Sequence, residues 1–448
     1  MTRSLLLLLA LCAAPPAWAQ ADGDLLIRNA TVLTVTDGTL EGHDVLVRDG
    51  VIAEIGEGLD APRGVEVLDA TGQYLMPGIV DAHSHIGISS VNEWTNPVTA
   101  EVWVGDVLDP LDVDLYRALA GGVTVSHAMH GSANVIGGQN ETIKHRWGET
   151  DPEAWRFAGA PRTIKFALGE NPIRVHGRRR GIRPLSRMGV EQTLRESLTE
   201  AQRYARERER YEAARDEGRR VTPPRYDRRL ETLADVLSGE VLVHTHSYRA
   251  DEILMLLDVL ADFDVDRVTI QHGNEAFKIA PELAAWGAGA SVFSDWYDYK
   301  FEVYYSTAYN AAILTRNGVR TSINSDSAEL VRHLYHEAAK AQRYGGLSDD
   351  EALALITINP AWQLGIDDRV GSIEVGKDAD LVLFDAHPLS VYAVPQTTVV
   401  DGVVRFDRER DPDDVRLFVD PEQEVEALAD RHGHTCMTDA EAGLWWAP

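Results

Sequence analysis

Cysteine is nearly absent. The 448 residues carry two, Cys12 and Cys436, and the first lies in a leader-like opening. With one cysteine left after leader removal there is no internal disulfide framework, and a thiolate metal cage is excluded with it. Lysine is also scarce, confined to Lys144, Lys165, Lys278, Lys300, Lys340 and Lys377. With 43 basic residues against 71 acidic ones, the formal charge is -28. That balance argues against nucleic acid and anionic membrane as partners and suits a soluble protein. No stretch beyond the opening approaches the roughly 20 apolar residues of a membrane span. A chain of this length can bury its own core without covalent staples.

The opening "MTRSLLLLLALCAAPPAWAQADGD" places Arg3 before an apolar run from Leu5 to Ala14, then Ala17-Trp18-Ala19 as a small-x-small cleavage pattern. This predicts a signal peptide over 1–19 and a periplasmic or secreted protein. Leu11 stands where a lipidated Cys12 would want a small neighbour, which argues against lipidation.

Residues 24–56 show short β-branched runs broken by Asp-Gly and Glu-Gly turns, and 371–406 have the same texture. Both read as antiparallel strands. Between them apolar strands alternate with helical stretches ("VTVSHAMH", "TIKFALGE", "VLVHTHS", "VTIQHG", "ASVFSDW", "VRTSINSD"). The pattern predicts an α/β chain with a (β/α)₈ TIM barrel over 76–369. The segments 20–75 and 370–410 should form a small composite β-sandwich beside it, and the tail 411–448 carries no readable motif. The charge-dense stretch 190–218 reads as a solvated helix with i,i+4 pairs.

"YLMPGIVDAHSH" ends an apolar strand with His83 and His85, which share one strand face. Alone, such a pair in a chain of 15 histidines is weak evidence. Three later strands, however, also end in ligand-type residues: His244 and His246 in "EVLVHTHSYR", His272 in "RVTIQHGNE", and Asp326 in "GVRTSINSDS". All should emerge at the C-terminal rim of one barrel, where active sites are built. Imidazoles and a carboxylate without thiolate suit zinc first, with manganese, iron or cobalt as alternatives. A carboxylate beside a metal-activated water can take its proton and return it to a leaving group, which makes Asp326 the candidate proton shuttle. A helix N-cap is its structural alternative.

"PGIVDAHSH" and "ITINPAWQLGIDDRVGSIEVGKDADLVLFD" resemble the signatures of the amidohydrolase superfamily, in its imidazolonepropionase- and prolidase-like branch. "HGSANVIGGQNETIK", "IKFALGENP" and "HTHSYRADEI" resemble that branch as well, and the similarity runs over about 24–408. The resemblance implies a barrel with a composite sandwich and hydrolysis at one or two divalent metals. It implies that His83, His85 and Asp326 bind the first metal, and that His246 and His272 bind the second, with His244 as the other choice at the fifth strand. It further implies a carboxylated lysine bridging the two metals. Lys165, a rare lysine inside an apolar strand, fits best, with Lys144 and Glu170 as competitors. His127, Gln139 and Tyr248 are candidate substrate contacts. His130, Arg249 and the aromatic stretch 294–305 are weaker ones.

The expected function is exported metal-dependent hydrolysis of a C–N amide bond, in a dipeptide, N-acyl amino acid or cyclic amide. Metal-activated hydroxide would attack, with Asp326 moving the proton. A lactonase, phosphotriesterase-like or deaminase activity at the same site is the alternative, and a non-catalytic metal-binding protein is the reading from another class. A small-molecule amide or peptide is the expected partner, and a homo-oligomer is left open.

Overall fold

A computed structural model describes residues 23–296 and 299–410. The expected signal peptide and the tail 411–448 lie outside the described residues. Two eight-stranded sheets organise the chain. The first five strands are β1 (Leu25–Leu33), β2 (Thr39–Arg48), β3 (Val51–Gly56), β4 (Glu66–Asp69) and β5 (Tyr74–Pro77). They share one sheet with the last three, β14 (Leu381–Phe384), β15 (Pro395–Val400) and β16 (Val403–Asp407). The two ends of the chain meet where β5 pairs antiparallel with β14, Leu75 opposite Leu383. This composite sheet has its own apolar core around Leu25, Ile27, Val45, Val47, Leu75, Leu381 and Val399.

The second sheet is the barrel, its strands adjacent in chain order: β6 (Ile79–Ser84), β7 (Val123–Ala128), β8 (Ile136–Lys144), β9 (Arg162–Ala167), β10 (Val241–Ser247), β11 (Val268–His272), β12 (Gly289–Val292) and β13 (Arg320–Ile323). β6, β7 and β10 are buried along their whole length. Helices and loops cover their outer faces, so both faces of these strands are buried, the polar residues near their C-terminal ends included. The expected eight-stranded barrel is therefore present, with one departure. β8 runs antiparallel to both β7 and β9, while the other neighbouring pairs are parallel.

The barrel closes between its last and first strands through the segment after β13. Asp326 N donates to His83 O at 3.0 Å. Ser325 N donates to Asp81 Oδ1 at 3.1 Å, and the Ser325 hydroxyl donates to the other oxygen. Gly78 marks the passage from composite sheet to barrel. A Cβ there would sit 2.2 Å from Thr124 Oγ1, so only glycine allows so close an approach.

The charge-dense stretch forms the helix Arg187–Asp216, capped by Ser186. It is solvated on one side, with an Arg195–Glu191 i,i+4 pair, but buries a stripe of Val190, Leu194, Leu198 and Ala201. Among the described residues no helix is long and apolar enough to cross a membrane.

Candidate metal centre

His83, His272 and Asp326 offer ligand atoms that all lie within 4.8 Å of one another, each residue buried. His85 joins them, its Nε2 3.1 Å from Asp326 Oδ1, while His83 Nε2 is 3.5 Å from the same oxygen. His272 Nε2 is 3.5 Å from Asp326 Oδ2. His246 lies against His272 with ring centres 4.8 Å apart. Lys165 reaches the group from β9, its Nζ 3.1 Å from His83 Nε2. The six residues expected to ligate metal thus converge at one end of the barrel.

The atoms facing one another are short of hydrogen bonds. Neither oxygen of Asp326, neither ring nitrogen of His272, nor Nδ1 of His246 makes a well-formed one, although all are buried. Unmet buried polar atoms are costly and rare, and a cation among them satisfies several at once. The protonation states agree. Burial holds His83 and His246 well below the ordinary imidazole range and brings His272 to about 3, so the rings are neutral donors of lone pairs. Burial pushes the Asp326 carboxyl up, but the facing His272, His85 and Lys165 outweigh it and hold it below its ordinary value. The donor set of neutral imidazoles and an ionised carboxylate fits a divalent metal of the zinc kind.

Two of these candidate ligands sit on left-handed backbone, His272 at φ 72° and Asp326 at φ 46°. Non-glycine residues rarely adopt this region, and it concentrates where function requires it. For His272 the reason is geometric. In register, Gln271 lies opposite His246 and His272 opposite Ser247. Alternation therefore sends Gln271 inward with His246 and His272 away from it. The positive φ turns the His272 ring back, so that two consecutive residues serve the interior.

Gln271 was not legible as a site residue. Its Oε1 lies 3.1 Å from His83 Nδ1, and its amide NH₂ faces Ala82 O at 3.3 Å and His244 Nδ1 at 3.0 Å. Because the NH₂ must serve the carbonyl of Ala82, Oε1 is left to accept from His83 Nδ1–H. That fixes the tautomer and presents the His83 Nε2 lone pair to the cluster. His244 pairs in register with Lys165, one layer below His246, and is engaged with Gln271. His246 is accordingly the histidine of β10 that lies beside His272. His85 is oriented in a similar way, its Nδ1 2.8 Å from Met129 O.

Asp81 supports the site from behind. Burial pushes its carboxyl up to about 7, against the hydrogen bonds from Ser325 and from His83 N.

The structure separates the remaining candidates. Tyr248 lies beside the cluster, its ring stacked on His272 at 5.6 Å. Phe293 also stacks on His272, at 4.8 Å, and Trp296 packs on Phe293. The aromatic stretch is thus part inner lining, while Phe301, Tyr304 and Tyr305 are exposed at the surface. His127 is held inside the barrel by Ala82 O at 3.2 Å and Thr163 Oγ1 at 2.7 Å. Gln139 does not join the cluster. Its side chain pairs with Arg162 and Thr232 and lines a different cavity of about 400 Å³. His130 accepts from Glu93 N, and Arg249 pairs with Asp251.

Lys144 lies apart because β8 is reversed, which brings its C-terminal end to the opposite rim. There the ammonium meets Asp378 at 2.7 Å, Asp380 at 3.1 Å, and Asp401. Glu170 sits beside Lys300, 4.0 Å away. A cavity of about 470 Å³ opens beside His85 and Asp326, lined also by Ile88, Val91, Asp109 and Leu111.

A family model described as "Amidohydrolase family" matches residues 303–405. The chain is 36% identical to a solved amidohydrolase from Thermotoga maritima MSB8, TM-score 0.79, covering 86% of this chain and 100% of that one. It is 34% identical over 393 residues to the amidohydrolase tasK of Hapsidospora irregularis. That match covers 81% of this chain, which spans 40% of the length of the longer relative. It is 23% identical over 414 residues to the 5'-deoxyadenosine deaminase of Methanobrevibacter smithii, covering 86% of this chain and 89% of that protein. With the identity and full cover of the Thermotoga structure added to the fold and the cluster, the chain belongs to the amidohydrolase superfamily.

Proposed function

We propose that the chain is a metal-dependent hydrolase that cleaves a C–N amide bond in a small molecule such as a dipeptide, an N-acyl amino acid or a cyclic amide. The observation that carries this reading is the convergence of buried, unsatisfied donor atoms on His246, His272 and Asp326 beside His83, His85 and Lys165. His83, His85 and Asp326 would hold one divalent ion and His246 and His272 a second, zinc being the ion the donor set fits best. Lys165, carboxylated, would stand between them. Such ions supply polarisation of the substrate carbonyl and acidification of water.

The chain's own residues do the rest. Asp326 is ionised and lies between the imidazoles, so its carboxylate accepts the proton of the attacking water and returns it to the leaving nitrogen. Tyr248 and Phe293, packed around His272, form an apolar wall that shields this transfer from bulk water. The cavity beside His85 and Asp326 gives the substrate its approach.

Changing Asp326→Asn should lower hydrolysis by about 10²–10⁴-fold while the folded chain persists. Unaltered turnover would remove Asp326 from the mechanism. The relative named as a deaminase favours one second reading, ring deamination at the same site. Product analysis separates the two: a new carboxylate and amine support amide hydrolysis, and ammonia release supports deamination. Arg3, the Leu5–Ala14 run and Ala17-Trp18-Ala19 support export. Protein beginning near Gln20 in the periplasm or medium is the expected result, and an intact N-terminus retained in the cytosol contradicts it.

A further inference from the structure

The cavity of about 470 Å³ beside His85 and Asp326 is lined unevenly in charge. Its inner end reaches Asp326, whose two buried oxygens make no well-formed hydrogen bond. Ile88, Val91 and Val113 give it apolar walls. Its other acidic groups are Asp109, Asp112 and Asp114, and among the described residues no lysine or arginine lines it. The volume is that of a small-molecule site, and it is continuous with the candidate metal centre.

The three aspartates are held in place. Asp112 caps the helix Val113–Ala120, accepting from Asp114 N at 3.1 Å and from Gly87 N at 2.8 Å. Asp114 pairs with Arg117 at 3.0 Å. Asp109 accepts from Leu111 N at 3.0 Å, and its own N donates to Gly87 O at 2.8 Å. The acidic segment is therefore tied to Gly87, two residues beyond His85. Leu111 is 73% exposed, which sets Asp109 beside it at the outer end of the cavity. Hydrogen bonds from backbone N–H groups favour the charged form of a carboxylate, so these contacts do not cancel its charge.

An apolar passage with a carboxylate at its mouth matches an aliphatic stem that ends in a cation. Such a stem lies along apolar surface while its head stays near water and opposite charge. An anionic head in the same place would face aspartates with no cation to offset it. We infer that this cavity receives a basic side chain of the substrate, its stem along Ile88, Val91 and Val113 and its cation against Asp109. The enzyme then prefers peptides or N-acyl amino acids that carry lysine- or arginine-like groups. The inference rests on the C–N hydrolase reading above and narrows it.

The test uses two substrate series on the metal-loaded full chain, Lys-Ala and N-acetyl-lysine. Each is compared with its norleucine and glutamate counterparts. In at least one series the wild type should favour lysine over glutamate by at least about tenfold in kcat/KM, with norleucine between them. Asp109→Lys should reverse that order, and Asp109→Asn should shrink the ratio by at least about threefold. The overall charge of -28 also draws cations from a distance, but one reversed side chain leaves it nearly as it was. A reversal therefore reports the local contact. A smaller wild-type ratio in both series overturns the inference, and so does an order that Asp109→Lys leaves standing. Should that variant not fold, Asp109→Asn decides, and an unchanged ratio overturns the inference. Calorimetric binding of the same compounds keeps the two readings separable. If none is hydrolysed, the C–N reading fails for peptides and N-acyl amino acids. The cavity assignment then stands only if the wild type binds the lysine compounds at least about tenfold more tightly than the glutamate ones and Asp109→Asn narrows the gap. Otherwise it falls as well.

Discussion

At the scale of single residues, Gln271 and His272 show what a strand pattern conveys and what it hides. The i,i+2 alternation makes His83 with His85, and His244 with His246, readable as pairs on one face. It gives no warning that two consecutive residues of β11 can serve the same interior, because that depends on the left-handed φ of His272. Nor does it choose between His244 and His246. Layer depth sets the two apart, with His244 level with Lys165 and engaged by Gln271 while His246 lies beside His272. A buried glutamine between two histidines had no signature of its own, since glutamine is not a metal ligand type. Replacing it exposes its part. Gln271→Met leaves His83 Nδ1–H without an acceptor, and metal affinity should fall by about 10–100-fold. Chelator competition on folded protein measures this, and an unchanged affinity would mean that the orientation of His83 is set elsewhere.

At the scale of elements, strand direction is the feature that periodicity does not carry. "NETIK" and "TIKFA" share the strand-like run Thr-Ile-Lys, and only the reversal of β8 tells them apart. A reversed strand delivers its C-terminal residue to the far rim, so Lys144 becomes a tie between barrel and composite sheet while Lys165 enters the cluster. Gln139, also on β8, is turned to the outer cavity, where it meets Arg162 of β9. Lys144→Met would remove the cation that Asp378, Asp380 and Asp401 share, leaving Asp378 and Asp401 to Arg369 and Arg146 and the buried Asp380 without that ammonium. Denaturant unfolding should show a loss of about 3–5 kcal/mol, the usual cost of removing one partner from a buried ion pair. Metal content per folded chain should stay the same, since the cluster lies at the opposite end. A variant as stable as the wild type would show that Arg146 and Arg369, which also pair with these aspartates, suffice.

At the scale of the whole molecule, closure of the barrel and assembly of the site are the same event. The strands that meet last in the ring are β13 and β6, and their junction is made by Asp326 N on His83 O and by Ser325 on Asp81. Residues from opposite ends of the barrel sequence therefore become neighbours because the ring closes there. The ends of the chain are held together likewise, through β5 and β14. The alternation of strands and helices and the matching texture of the two ends made this architecture legible from sequence. The seam was not, because it is stitched by serine and aspartate side chains as much as by a ladder. The central claim is that this seam and its neighbours hold divalent metal. Anomalous scattering from crystals grown with zinc tests it most directly. The account predicts peaks at about 2.0–2.2 Å from the side chains of His83, His85 and Asp326 and from those of His246 and His272, with added density on Lys165 Nζ. Peaks elsewhere on the chain, with this cluster bare in zinc-saturated crystals, would contradict it.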